Sequence, residues 1–339
     1  MTSNPTLRIG LIGTGRIGQV HAASVAALPG VSLDWVADPF IDGATRTAEA
    51  YGVPNVTADP LEVISSGSVD GVIIAAPTPT HVGLIEASID AGVPVLCEKP
   101  IDLDIARVDA LRAKAEATST PVQIGFNRRF DPHFAELRRR VAAGEIGALE
   151  QLAITSRDPE PPAAEYVAVS GGIFRDMTIH DFDMARFFVP DIVEVTARGA
   201  RQFDSAIAAA GDYDAVVVTL RGANDELITI TNSRHSSYGY DQRIEAFGAG
   251  GLLQVSNIPV TNVRAFTGTS VEGLAPYRNF FLERYADAYR LELEAFAEWI
   301  RGGMANAPGF DDGRAALVLA DAAVRSAAEG VSVAVDLRA

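Results

Sequence analysis

A single cysteine, Cys97, in 339 residues excludes an intrachain disulfide, fits a reducing compartment and sets aside the disulfide-stapled scaffolds. Positive charge is scarce as well: 28 lysines and arginines against 44 acids give a formal charge of −16. That balance works against binding nucleic-acid phosphates or an anionic membrane, and it points to a neutral rather than a polyanionic substrate. No apolar run approaches the ~20 residues of a membrane span. The opening Met1-Thr-Ser-Asn-Pro5 has neither the charged nor the apolar region of a signal peptide, so the expected location is the cytoplasm. Internal repeats, low-complexity tracts and long flexible linkers are also missing. What remains is a globular chain whose length suits two domains and whose 48% hydrophobic content suffices for buried cores.

The richest stretch is Leu7 to Gly18. An apolar run, Leu7 to Ile12, feeds Gly13-Thr-Gly15-Arg16-Ile17-Gly18, and Asp38 follows twenty positions after the last glycine. Strand before, helix after and an acid at that distance make this a dinucleotide fingerprint: one glycine for the tight turn, one for close approach of a pyrophosphate, one for packing the helix on the strand. Gly13, Gly15, Arg16, Ile17 and Gly18 are thus candidate cofactor contacts, with the amides of the following helix aimed at phosphate. Asp38 would accept hydrogen bonds from the adenosine ribose hydroxyls and repel a 2′-phosphate. Pro39 and Phe40 supply no arginine for that phosphate, so NAD is expected rather than NADP; Arg46 is the nearest base in sequence.

From residue 7 to about 125, short apolar runs alternate with helical patterns, which predicts a doubly wound parallel sheet covered on both faces. Strands are expected at Leu7 to Ile12, Ser32 to Ala37, Gly71 to Ala75, Val93 to Cys97 and Val122 to Ile124. Beyond residue 126 the texture changes to longer alternating runs: Leu149 to Ser156, Val193 to Arg201, Tyr213 to Leu220, Glu226 to Asn232, Gln242 to Phe247, Gly251 to Ser256 and Val260 to Phe266. These predict a large, mostly antiparallel sheet with one open face, its other face covered by helices near Ile179 to Phe188, Glu283 to Arg301 and Asp312 to Glu329. The expected fold is therefore α/β: a Rossmann domain over residues 1–125 and an α+β domain over residues 126–339.

Two further segments carry chemistry. Val93 to Cys97 ends in Glu98-Lys99-Pro100, which sets a cation at the carboxyl edge of the parallel sheet, where such folds bind ligands. Pro100 restricts Lys99 to extended backbone, and an ammonium there can stabilise a developing alkoxide. In Gly171-Gly-Ile-Phe-Arg-Asp176-Met-Thr-Ile-His180-Asp-Phe-Asp183, Asp176 and His180 share one face if the segment is helical. Histidine is the natural proton acceptor near neutral pH, and the carboxylate can orient it or bind a second hydroxyl. A metal held by Asp176, His180 and Asp183 is the rival chemistry, weakened by the absence of a nearby second histidine or cysteine cluster. Cys97 reads as inert core, His21 as a packing residue, and Arg138 to Arg140 as a solvated helix face.

On these segments, together with the Ala76-Pro77-Thr78-Pro-Thr-His81 loop and Gly125-Phe-Asn127-Arg128-Arg129-Phe130, the chain resembles the glucose-fructose oxidoreductase and inositol dehydrogenase (Gfo/Idh/MocA) family over nearly its whole length. Within that family the segments are most similar to inositol 2-dehydrogenases. The resemblance implies that Lys99, Asp176 and His180 form the catalytic set and that Pro77, Thr78, His81, Glu98 and Lys99 lie at the cofactor. It further implies that Asn127, Arg128, Tyr238, Tyr240 and Tyr289 join the catalytic residues around a cyclic polyol or sugar, in a homotetramer. His81 reads equally well as the cap of its helix. Asn127 stands where the inositol dehydrogenases carry methionine, which leaves the preferred substrate open. Two other readings stay open: a cofactor-binding regulator without turnover, and an enzyme that uses tightly held NAD for transient oxidation, as in glycoside cleavage.

Overall fold

Valine, isoleucine and leucine predominate in the first sheet, whose central strands are buried on both faces. The computed structural model describes residues 5–303 and 307–339; the N-terminal residues 1–4 discussed above lie outside it. The chain runs β1 (Leu7–Ile12), α1 (Arg16–Ala27), β2 (Val31–Ala37), α2 (Ile41–Tyr51), β3 (Asn55–Thr57), α3 (Pro60–Ser65), β4 (Gly71–Ile74), α4 (His81–Ala91), β5 (Val95–Cys97), α5 (Ile105–Ala117) and β6 (Val122–Ile124). All strand pairs are parallel, in the order β3-β2-β1-β4-β5-β6. The order reverses between β1 and β4, and ligands of doubly wound sheets bind at that reversal, outside the carboxyl ends of the strands. Local chemistry starts the helices: Asp59 and Asp104 each accept an amide two residues on, at the head of α3 and α5. The short β3 and α3 escape the periodicity argument because three and six residues span too little of either period.

A second set of elements follows: α6 (Pro132–Ala142), β7 (Leu149–Arg157), α7 (Ala164–Val167), α8 (Ile173–Asp176), α9 (Thr178–Phe188), β8 (Ile192–Ala200), α10 (Ser205–Ala209), β9 (Ala215–Gly222), β10 (Leu227–Ser233), β11 (Asp241–Gly248) and β12 (Gly251–Val255). They build a seven-stranded sheet in the order β12-β11-β7-β10-β9-β8, completed by the late strand β15 (Val333–Ala334). Only β7 and β10 pair in parallel. Burial alternates along β9 and β10, as a sheet with one covered and one open face requires. Asp131 caps α6 through the amides of His133 and Phe134 and pairs with the buried Arg284. Arg139 and Arg140 make exposed pairs with Glu136 and Glu145, whereas Arg138 lies over the ring of Phe187.

Val260 to Phe266 does not add a strand to this sheet. Instead β13 (Ala265–Thr267) and β14 (Ser270–Gly273) form a separate hairpin, and Ala265, Phe266 and Thr267 are all exposed, so the alternation there has no core to face. The expected helix Glu283 to Arg301 is interrupted at Tyr285, giving α11 (Phe281–Arg284) and α12 (Ala286–Ile300), before α13 (Phe310–Glu329). The structure divides into Met1–Phe130 with Asp287–Arg314, and Asp131–Ala286 with Ala315–Ala339. The first crossing follows Phe130, where the sequence reading has residue 125. Asp287–Arg314 returns to the first unit, where the sequence reading has it in the domain over residues 126–339; the cause is packing, since Leu293 and Phe296 sit in the same core as Ile9, Leu11, Val36 and Ile73. Gly71 admits this helix, since a Cβ there would lie 2.7 Å from Ile300 Cδ1 and 3.3 Å from the Phe296 ring.

Candidate active site

The three fingerprint glycines of the first unit have three distinct surroundings. Gly13 has φ +98°, and a Cβ on it would meet the Ala75 carbonyl oxygen at 2.5 Å, where β1 and β4 part. A Cβ on Gly18 would strike Gly13 O at 2.1 Å, so this glycine lets α1 pack against the turn. Gly15 faces open space, with nothing within 4 Å of its would-be Cβ. It is also the N-cap of α1, which has no side-chain cap and no acid in its first turn. A cradle that is tight on two sides, bare on the third and edged by helix amides fits a pyrophosphate. Asp38, at the end of β2, accepts from the Thr14 amide at 2.8 Å, the Thr14 hydroxyl at 2.7 Å and the Phe40 amide at 2.8 Å. It therefore fixes the fingerprint turn itself, leaving its remaining lone pairs as the ribose-binding capacity expected of it.

Lys99 leaves the same carboxyl edge at the end of β5, two strands from β1. The chain spells nearly all of its basic positions as arginine, with Lys99 and Lys114 the two lysines. Lys114 is spent on Glu86 and Asp90, so the compact, strongly hydrated ammonium at the sheet edge is a specific choice. The Lys99-Pro100 peptide is cis. His81 is buried at the head of α4, with Nε2 2.8 Å from Ala76 O and Nδ1 2.8 Å from Pro100 O. It thus ties the Ala76–His81 loop, with Pro77 and Thr78, to the Lys99-Pro100 corner rather than presenting a free ring edge. Glu98 accepts from His21 Nε2 at 2.8 Å; the histidine is buried as a packing residue should be, but it is also a hydrogen-bond partner that sequence reasoning missed. Burial first, and the Glu98 charge second, push the Cys97 thiol well up, so this cysteine is inert. Asn127 and Arg128 are both buried in a 3₁₀ turn, Asn127–Phe130.

In the second unit, Asp176 closes α8 and His180 lies in the first turn of α9, with Met177 between the helices. Asp176 Oδ1 accepts from Tyr166 Oη at 2.8 Å, and Oδ2 lies 3.6 Å from Nη1 of Arg234, which is 1% exposed. The other arm of Arg234 donates to Asp212 at 3.2 Å, and Asp212 in turn accepts from the Ile173 amide that starts α8. Neither Arg234 nor Asp212 is marked by any spacing in the sequence. Beneath α9, Asp181 accepts from Ser156 at 2.6 Å and Asn232 at 2.7 Å, and Thr178 donates to Asn232 at 2.6 Å. This network fixes the rotation of the helix that carries His180. Asp183, the third candidate ligand of the metal alternative, is fully buried, and among the described residues no group of three or more His, Cys, Asp or Glu side chains could hold a metal ion.

The three tyrosines fall in different places. Tyr238 donates to Asp241 at 2.8 Å and accepts from Arg157 at 2.6 Å. Tyr240 is buried, edge-on to Tyr285. Tyr289 belongs to the first unit on α12, its ring edge-on to His21 at 5.8 Å. Burial works against ionisation of Asp241, but donors from Arg243, Tyr238 and Asn257 outweigh it and hold the carboxyl below its usual range.

Residues 7–126 match an oxidoreductase family with an NAD-binding Rossmann fold, and residues 134–254 match the GFO/IDH/MocA C-terminal domain. The inositol 2-dehydrogenase of Rhizobium meliloti (strain 1021) is 47% identical over 96% of this chain and 98% of its own length. A crystal structure of a myo-inositol dehydrogenase from Corynebacterium glutamicum is 56% identical, with a TM-score of 0.94 over 98% of this chain and 99% of that one. A scyllo-inositol dehydrogenase from Lactobacillus casei, solved with bound NAD(H) and scyllo-inositol, is 27% identical, with a TM-score of 0.89 over 98% of this chain and all of that one.

Proposed function

The chain belongs to the GFO/IDH/MocA oxidoreductase family, and from that premise we propose that it is an NAD-dependent inositol 2-dehydrogenase, oxidising myo-inositol to 2-keto-myo-inositol. The observation that carries this reading is the fingerprint, with each glycine in its own steric role, beside a lysine at the carboxyl edge of the same sheet. The relatives named above support the substrate class. His180 accepts the proton of the reacting hydroxyl as general base. Lys99 holds the hydroxyl oxygen and stabilises its negative charge as the proton leaves. Asp176, fixed by Tyr166 and Arg234, orients the imidazole or grips a neighbouring hydroxyl. Bound NAD supplies the acceptor for the carbon-bound hydrogen, which departs with its electron pair. Asn127, Arg128, Tyr238, Tyr240 and Tyr289 are proposed to discriminate among hydroxyl patterns, with each unpaired buried group costing about 1–3 kcal/mol. No described helix is long and apolar enough to cross a membrane, and the proposed working form is a cytoplasmic homotetramer.

The test is NADH formation at saturating NAD or NADP over myo-inositol, scyllo-inositol and a set of aldoses. Turnover of myo-inositol with NAD, abolished in Lys99→Ala and His180→Ala while NADH still binds, is the expected result. Turnover confined to aldoses would replace the substrate assignment. Unchanged rates in both variants would overturn the catalytic one.

A further inference from the structure

Beneath the Glu98-Lys99-Pro100 corner the first unit buries a second acid for which the mechanism has no use. His21 on α1 gives Nε2 to Glu98 Oε1 at 2.8 Å, and the imidazole is fully buried. Glu98 also packs against the residue that follows β6, where a Cβ on Gly125 would lie 3.1 Å from the Glu98 carboxyl carbon. The helix α12 closes the group: Tyr289 sets its ring against His21, and Glu292, one turn further along the same face, is fully buried. Gln123 on β6 donates to the backbone carbonyl of Glu292 at 3.2 Å. Among the described residues neither carboxyl oxygen of Glu292 has a hydrogen-bond partner, and no cation is paired with it.

A fully buried carboxylate in such a place would be costly, whereas the neutral acid is uncharged and a donor. We propose that Glu292 is held as a neutral carboxylic acid, so that no second charge bears on Glu98 and the His21–Glu98 contact beside Lys99 stays undisturbed. Glu98, from the β5 corner, is the charged group that bears on the Glu292 carboxyl; Gln123 on β6 meets its backbone, and His21 on α1 meets Tyr289 one turn away. Burial first, and the Glu98 charge second, raise the Glu292 carboxyl well above its usual range. Ionisation would set a second negative charge against Glu98, and that repulsion acts one residue from the ammonium. The consequence for catalysis rests on the role of Lys99 proposed above; the protonation of Glu292 does not.

The experiment has two arms. Infrared spectra of the cofactor-free enzyme at neutral pH, wild type against Glu292→Gln, should show the carbonyl stretch of a protonated carboxylic acid that is missing from the variant. In wild type alone that band should disappear as the pH is raised. The second arm is the pH profile of kcat/KM with NAD and inositol. Wild type should fall on the alkaline side as Glu292 ionises, and Glu292→Gln, which stays neutral, should keep wild-type turnover without that fall. Glu292→Met, of similar size and equally unable to ionise, should likewise keep turnover without an alkaline fall, with NADH binding by fluorescence retained. Absence of the band in wild type at neutral pH overturns the proposal whether or not the enzyme oxidises inositol. A band with an alkaline limb unchanged in Glu292→Gln and Glu292→Met overturns the link from Glu292 to Lys99 and leaves the dehydrogenase assignment standing.

Discussion

Taking the guanidinium away from Arg234 would leave Asp176 and Asp212 without the cation they share in a buried setting. Breaking a buried pair by removing one partner typically costs about 3–5 kcal/mol, because the remaining charge is uncompensated. Arg234→Met is therefore expected to lose stability of that order in urea unfolding, and to lower kcat through displacement of Asp176 while NADH affinity holds. Wild-type kcat in a folded Arg234→Met protein would remove Arg234 from the account of Asp176. Asp38 makes a different prediction because its carboxylate serves two masters, the Thr14 turn and the ribose. Hydrogen bonds to charged groups contribute about 1.5–3 kcal/mol, so Asp38→Ala should reduce kcat/KM with NAD by on the order of tenfold to a hundredfold. Removal of the like charge should at the same time narrow the preference over NADP. Preference for NADP in the wild type itself would defeat the argument. The two residues also differ in legibility: Asp38 stands at a fixed distance from three glycines in one strand-turn-helix unit, whereas the partners of Arg234 come from other loops and exist only once the chain has folded.

At the scale of elements, apolar period and capping residues set what could be read in advance. β1, β2 and β4 to β6 are apolar-rich runs and fall within two residues of their expected places. α12 was legible as a helix but not in its allegiance, because an amphipathic period says that a face is buried and not against what. Its Phe296 is fully buried in the core of the first unit. Phe296→Ala should cost about 3–5 kcal/mol, read as a lower urea midpoint, with NADH binding lost in the same transition as the first unit's secondary structure. NADH binding that outlasts that transition would separate α12 from the cofactor domain. Asp214 supplies the pH dependence at this scale. Burial opposes its ionisation, but the amides of Phe203, Gln202 and Asp204 outweigh it and hold the carboxyl below its usual value. A depressed folded pKa stabilises above the unfolded value of 3.8, and that contribution is lost as the pH falls through the folded one. Asp214→Asn should thus be less stable than wild type at neutral pH, with the gap closing in unfolding curves taken below about pH 3.8.

For the whole molecule, the charge of −16 and the proposed tetramer pull in opposite directions, since net charge of one sign opposes association. An interface must therefore be built where charge is sparse. The open face of the seven-stranded sheet meets that condition along its centre. Thr196 on β8 pairs with Thr219 on β9, Thr219 with Thr229 on β10, and Thr229 with Ala153 on β7. Val217, Leu227, Phe247 and Leu252 lie exposed on the same face. β-Branched side chains present a flat surface that lacks formal charge, and threonine hydroxyls can pair across it, which suits face-to-face packing with a second copy. Thr229→Lys puts an ammonium in the middle of that face without touching the core. Light scattering after size exclusion should then show the mass fall to a smaller species, with the urea midpoint of the monomer unchanged, and salt should tighten the wild-type assembly by screening its acidic surface. A Thr229→Lys protein that keeps the wild-type mass would mean that the subunits meet elsewhere and that this face is open in the working enzyme.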